Sequence, residues 1–470
     1  MVTSFPGEPV CGPPPFIIAV SRMTYDSAIT QLFELGHELS RTPSHKFDLA
    51  HMRVLLDALG NPQTKFKSVL IAGTNGKGST AATLASILIA GGHQTGLYTS
   101  PHLIRVNERI RINGTEITDE DFTRAYDHVE GAAAWLVTDG ALPWHPSFFE
   151  MLTAMAFVHF ATAGIEIAVL EVGMGGRLDA TNVVEPVVAV ITDISLDHQK
   201  FLGNTIAEIA GEKAGIIHPT GLVVTLPQHP AANDVIGKAV LERGATAVSA
   251  VQYVPPVSPG AEGTAWDQRT SGARNRYPLT VMGRKIMVDS PLVGRHQLRN
   301  LALAIAATEQ LNAAGISVTS DAVEEGIRQT RWSGRFEVIP ARNRCPEIVL
   351  DVAHNPAGAW ALRAALSERF PERRITLLFG VLRDKAVGEI AEILFPIADQ
   401  VVITSVDNPR AAAPEEVASA TRSATDAVLE SDFSAAMRRA IEMTPKDGLL
   451  VITGSIYLVG AALSHLEARP

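Results

Sequence analysis

Runs that are apolar at nearly every position recur along the chain, and most end in Gly, Asp or Ser. They are SVLIAG (68–73), IEIAVLEVG (165–173), VVAVITD (187–193), EIVLDVA (347–353), RITLLFG (374–380), QVVITS (400–405) and GLLVITGS (448–455). A strand with one wet face alternates apolar and polar residues, whereas a strand covered on both faces reads as an unbroken apolar run. These runs therefore predict parallel strands sandwiched between helices. The intervening segments supply the helices: MTYDSAITQLFELGHELS (23–40), AATLASILIAGG (81–92) and QLRNLALAIAATEQL (297–311) carry apolar residues at helical spacing. The expected class is α/β, and in such sheets ligands gather beyond the carboxyl ends of the strands. Function is to be sought there.

The strands fall into two groups. Between them, residues 254–277 are rich in Pro, Gly and Ser and predict a surface loop or irregular hairpin region. TRWSGRFEVIPARNRCP (330–346) reads as a linker between two domains. The expected organisation is a disordered Pro/Gly-rich leader over 1–22, a first domain over 23–334 and a second over 335–470. A chain of 470 residues is long enough for two or three domains. The leader's apolar patch FIIAV is too short for a signal sequence and has no basic residues before it. No apolar segment approaches the roughly 20 residues needed to cross a bilayer.

The formal net charge is −10, with no basic tract to neutralise phosphates, which argues against a nucleic-acid partner. Two distant cysteines, Cys11 and Cys345, exclude a disulfide framework and a thiolate zinc site. A reducing cytoplasm fits that usage.

IAGTNGKGST (71–80) places glycines and a lysine between a strand and a helix. Glycines let backbone N–H groups approach phosphate oxygens, the helix N-terminus adds partial positive charge, and Lys77 reaches the outer phosphates. The segment departs from the general G-x-x-x-x-G-K-[ST] pattern, because its first glycine is closer to the lysine and Gly78 stands where a magnesium-binding hydroxyl usually does. The plain alternative is a Gly-rich turn. Ser100, Glu171 and His198, each near a predicted strand end, suit a nucleotide-bound magnesium. Each also has an ordinary reading: a helix cap, a strand-end charge, a core histidine. GMGGR (173–177) lacks the third glycine and the following helix of a dinucleotide fingerprint.

The motifs GTNGKGS, TSPHL, SFFE, EVGMGGRLDATN, DISLDH, GEKAGI, HQLRN, SGRFE, DVAHNP and ITGS follow one another over residues 73–455. Together they resemble the folylpolyglutamate synthase family of the Mur ligase superfamily, whose bacterial members often also act as dihydrofolate synthases. The shortened P-loop is the form that family has. The resemblance implies a P-loop Mur-ligase-like ATP-binding domain with a central, mostly parallel sheet, followed by a smaller Rossmann-like α/β domain that carries the glutamate ligase half. It also implies ATP-dependent amide formation: glutamate is added to 7,8-dihydropteroate, or to the glutamyl chain of tetrahydrofolate, through an acyl phosphate.

By that resemblance Gly73, Thr74, Asn75, Gly76, Lys77, Gly78 and Ser79 hold ATP, joined by Asn300, Arg335 and Asp351. Ser100 and Glu171 bind a first magnesium ion; Glu171, His198 and Lys213, the last as a carbamate, bind a second. Potassium is a further candidate cation. Lys77, Glu171, His198 and Lys213 form the catalytic set. An N-carboxylated lysine is an anionic oxygen ligand; the ordinary alternative for Lys213 is a helix lysine paired with Glu212 or solvent. Phe47, Asp48, Leu49, Ala50, Ser147, Leu178, Asp179 and Ala180 match positions around dihydropteroate and point to the bifunctional type. Asp351, His354 and Ser455 place the incoming glutamate, although His354 could instead be structural, just before a helix begun at Pro356. The family tendency is a monomer. Two other readings stand beside this one: a Mur-type ligase for another acceptor, for which the first 72 residues leave no room for a nucleotide-sugar domain, and a nucleotide-dependent switch, which would leave DVAHNP and ITGS idle.

Overall fold

The computed structural model describes residues 23–36, 49–256, 274–342, 345–424 and 426–467. The predicted leader, Phe47, Asp48 and most of the predicted surface loop lie outside them. Eight strands form the first sheet: β1 (Lys67–Ala72), β2 (Thr95–Tyr98), β3 (Ile110–Ile112), β4 (Thr115–Glu116), β5 (Ile167–Glu171), β6 (Val188–Ile191), β7 (Leu222–Thr225) and β8 (Thr246–Ser249). Their order is β4-β3-β2-β5-β1-β6-β7-β8, parallel except where β3 and β4 turn back at one edge.

The unbroken apolar runs are explained by what covers the sheet. Leu70, Ala72, Ala168, Leu170, Ala189 and Ile191 face one core; Val69, Ile71, Ile167, Val169, Val188 and Val190 face the other. Both faces are dry, and each fully buried aliphatic side chain contributes about 2 kcal/mol. The helix Lys77–Ala90 is apolar nearly all round because it lies between the sheet and the helix Ser320–Gln329. A Cβ at Gly326 would stand 2.4 Å from the Ile87 Cα, so only glycine allows the two backbones this close.

A hairpin, β9 (Asn275–Val281) and β10 (Arg284–Ser290), covers the second core through Tyr277, Val281, Ile286 and Val288. Its two turn residues, Met282 and Gly283, both have positive φ, as a tight hairpin with right-handed strand twist requires. The sequence predicts a surface loop or irregular hairpin region over 254–277; among the described residues of that stretch, Asn275, Arg276 and Tyr277 belong to β9.

The second sheet holds β11 (Glu337–Ile339), β12 (Glu347–Leu350), β13 (Ile375–Phe379), β14 (Gln400–Ile403), β15 (Val428–Leu429) and β16 (Leu449–Thr453), in the order β11-β12-β16-β13-β14-β15. All pairs are parallel except β11 with β12. The segment read as a linker thus contains an edge strand. Its short polar flanks hid a pairing that forms only against β12.

Candidate functional site

Register decides what meets at the carboxyl end of the first sheet. β1 lies between β5 and β6, with Ile71 opposite Glu171 on one side and Val190 on the other. The loops after these three strands therefore stand side by side. Thr74 and Asn75 donate their backbone N–H groups to the Asp193 carbonyl at 2.8 and 3.1 Å, tying the P-loop to the loop after β6.

The loop glycines are fixed by close approach. A Cβ at Gly73 would stand 1.8 Å from Thr192 Oγ1, and one at Gly76 2.2 Å from Asn300 Oδ1. Gly76 also has φ +89° and begins the helix without a side-chain cap, so the first-turn N–H groups face the cavity. At Gly78 a Cβ would meet the Trp332 indole at 3.0 Å. That contact accounts for glycine at the position where the general pattern has a hydroxyl. Lys77 Nζ donates to the carbonyls of Gly73 and Thr74 at 3.2 and 3.4 Å, folded over the loop.

Beside the loop, Glu171 is 5% exposed, and its Oε2 accepts from the Ser100 N–H at 3.2 Å. No helix follows Ser100, so it is not a helix cap. His198 takes left-handed φ at the end of its loop. Burial, aided by the Lys385 charge, brings its pKa down to about 3, so the ring is a neutral donor near neutral pH. Lys213 is buried and donates to the Gly73 carbonyl at 2.7 Å, while Glu212 pairs with Arg177 instead. Two lysines thus converge on one carbonyl. Burial, reinforced by Lys77, lowers the Lys213 pKa to about 7, which leaves much of the amine neutral.

Among the described residues no three His, Cys, Asp or Glu side chains cluster as a cage for a metal. A magnesium site completed by phosphate oxygens needs only one or two carboxylates from protein. The hydroxyl of Ser100, the carboxylate of Glu171 and the neutral imidazole of His198 fit that kind of site.

The second sheet contributes the opposite wall. Asp351 at the end of β12 accepts from the Phe336 and Ala353 N–H groups, both at 2.9 Å. Burial raises its pKa and lowers that of Arg335. Asn355 caps the helix Pro356–Arg369 through Oδ1 and donates from Nδ2 to Asn75 Oδ1 at 2.9 Å, so this wall touches the P-loop. Ser455 is buried, with Oγ accepting from Leu458 N.

One cavity of about 1730 Å³ joins these groups. Gly73 through Ser79, Ser100, Glu171, His198, Lys213, Asn300, Arg335, Asp351, His354 and Ser455 all line it, as do Leu49, Ser147, Leu178, Asp179 and Ala180. Ala50 does not. It sits on the exposed side of its helix, since Leu49 and Met52 turn inward. Ser147 forms a capping box with Glu150, and Asp179 is spent on the Met174 and Thr181 N–H groups, so both shape the wall as well as facing it.

Asp197, Asn355, Trp332 and Lys385 also join the site, and the sequence reading does not single them out. Asp197 stands inside DISLDH and Asn355 inside DVAHNP. Lys385 follows the end of β13 by six residues, and only the strand-end rule pointed that way.

Residues 71–308 match the Mur ligase middle domain and residues 334–456 the Mur ligase glutamate ligase domain. A dihydrofolate synthase/folylpolyglutamate synthase of Bacillus subtilis is 35% identical, covering 89% of this chain and 95% of its own. The enzyme of the same name from Mycobacterium tuberculosis is 36% identical, covering 98% and 99%. A crystal structure of Mycobacterium tuberculosis folylpolyglutamate synthase complexed with ADP and AMPPCP superposes with a TM-score of 0.82 at 34% identity, covering 95% of this chain and 99% of that one. The chain belongs to the dihydrofolate synthase/folylpolyglutamate synthase family of the Mur ligase superfamily.

Proposed function

We propose that this chain is an ATP-dependent ligase that joins L-glutamate to 7,8-dihydropteroate and to the glutamyl chain of tetrahydrofolate. The observation that supports the reading is one cavity of about 1730 Å³, lined at once by Gly73 through Ser79, by Leu49, Leu178 and Ala180, and by Asp351, His354 and Ser455 of the second unit. A drug-sized ligand needs about 300–1,000 Å³, so this space suits several substrates held together.

The chemistry follows from the acceptor. A carboxylate cannot expel oxide, so one of its oxygens attacks the ATP γ-phosphorus and ADP leaves. The amino group of glutamate then adds to the acyl carbon, and phosphate departs with the original carboxylate oxygen and a proton is released. Little covalent work falls to the protein, which must position three anions and neutralise them. Gly73 through Ser79 cradle the phosphates, Lys77 supplies a cation, and Asn300, Arg335 and Asp351 complete the nucleotide site. Ser100 and Glu171 hold one magnesium ion; Glu171, His198 and Lys213 as carbamate hold a second. The ions supply neutralisation of the phosphate oxygens, and potassium stands as a further candidate cation. Leu49, Ser147, Leu178, Asp179 and Ala180 form the pterin side, and Asp351, His354 and Ser455 the glutamate side. The boundary between the two working units falls at residues 334 and 335, and the enzyme acts as a cytoplasmic monomer on small molecules. Among the described residues no helix is long and apolar enough to cross a membrane. An acceptor labelled with oxygen-18 in its carboxylate tests the route: label in the released inorganic phosphate supports it, and label retained entirely in the amide product contradicts it.

A further inference from the structure

Three groups of the second sheet converge on one carboxylate of the first domain. Lys385 Nζ lies 2.7 Å from Asp197 Oδ1, and each side chain is only 7% exposed. Asn355 Nδ2 donates to Asp197 Oδ2 at 3.3 Å, and His354 Nε2 stands 3.5 Å from the same oxygen. The other side of this carboxylate is local: Oδ1 also accepts from the His198 N–H at 2.8 Å. Asn355 at the same time reaches Asn75 of the P-loop.

We propose that Lys385 is a positioning residue for the ligation, and that its pair with Asp197 docks the second sheet onto the loop that carries His198 and onto the P-loop. The inference rests on the ligase reading. A buried ion pair adds little net stability against an apolar pair of the same size, but removing one partner leaves a buried charge uncompensated. Such a pair therefore enforces one arrangement of the two walls. His354 and Asn355, adjacent in the chain, can meet Asp197 and Asn75 only when that arrangement is reached. Asp197 belongs to the loop after β6 and Lys385 to the loop after β13, so the contact measures the closing of one sheet's edge on the other. With the walls closed, the acyl phosphate meets the amino group of glutamate. With them apart, water takes its place: water adds to the acyl carbon, phosphate leaves, and ATP is consumed with the carboxylate regenerated and no amide formed.

The test is Lys385→Met in the full chain, with Lys385→Arg as the conservative variant and Asp197→Asn as the change from the other side. Amide product, ADP and the KM of each substrate are measured for all four proteins. For Lys385→Met the expected result is a fall in kcat of about 100-fold, as for groups displaced by about 1 Å, with ADP released in several-fold excess over amide. Lys385→Arg should restore the ratio toward one, and Asp197→Asn should show the same excess. A merely structural loss lowers ADP and amide together and leaves the ratio at one, which would overturn the proposal. A rise confined to the KM for glutamate would also overturn it, by making Lys385 a glutamate ligand. Small-angle scattering with ATP reads the docking without any turnover: the radius of gyration should grow in Lys385→Met and recover in Lys385→Arg. An unchanged radius counts against the pair, whereas no amide from the parent chain counts against the ligase reading alone.

Discussion

Replacing Lys213 with methionine removes the charge while keeping a similar unbranched volume. Burial, reinforced by Lys77 and opposed by Asp197 and Asp179, lowers the Lys213 pKa from 10.5 to about 7. That gap of about 3.5 units, at about 1.4 kcal/mol per unit, makes the ammonium form unfavourable in the fold by about 5 kcal/mol. Between pH 7 and 10.5 the unfolded chain holds this proton and the folded chain does not, so stability rises with pH across that window. Below pH 7 the full cost remains. The methionine variant loses the hydrogen bond to the Gly73 carbonyl, about 1 kcal/mol, and escapes the larger charge cost. It should therefore be more stable than the parent at pH 6, with the advantage shrinking by about 1.4 kcal/mol per pH unit above pH 7. Urea unfolding of both proteins from pH 6 to 9 in carbon-dioxide-free buffer measures this. Adding bicarbonate should then let the neutral amine bond to carbon dioxide with loss of a proton, stabilising the parent alone and adding one carbon dioxide to its intact mass. A stability difference that is flat with pH would refute the argument, because an ordinary charged lysine gives no slope there.

Other consequences are simpler to state. Gly78→Ala should cost about 1–3 kcal/mol through overpacking against Trp332, and the cost should fall below about 0.5 kcal/mol in a Trp332→Leu background; additive losses would show that the indole is not the obstacle. Lys77→Ala should lower kcat by about a thousandfold, the upper range for a lost oxyanion donor, while circular dichroism and the unfolding midpoint stay near those of the parent. An active Lys77→Ala enzyme would remove the lysine from the phosphate cradle. His354→Ala should raise the KM for glutamate more than that for ATP, and equal rises would assign His354 to docking on Asp197 alone.

The sequence showed the interior strands and the P-loop because both obey local rules. β1, β5, β6, β12, β13, β14 and β16 are covered on both sides and so read as unbroken apolar runs; apart from Lys67 at the start of β1, each lies within a run that the hydrophobic pattern marks. β2, β7 and β8 escaped because four residues such as TGLY or TAVS carry too little pattern, and they are strands only through their neighbours' hydrogen bonds. The site was legible where a motif packs its chemistry into a few residues. It was not legible where partners are far apart in the chain: Asp197 and Lys385 are 188 residues apart, and Trp332 reaches Gly78 from a segment that looked like a linker. Nor does spacing reveal that Lys213 turns away from Glu212 toward a loop carbonyl 140 residues earlier. Close approach and burial decide those contacts, and both are properties of the assembled fold.

The most direct test of the central claim is mass-spectrometric product analysis of the purified protein with ATP, magnesium and glutamate, supplied in parallel with 7,8-dihydropteroate and with tetrahydrofolate. The account predicts that one glutamate residue is added to each acceptor, with one ADP formed per amide bond. ATP hydrolysis with no glutamylated product from either acceptor would contradict it.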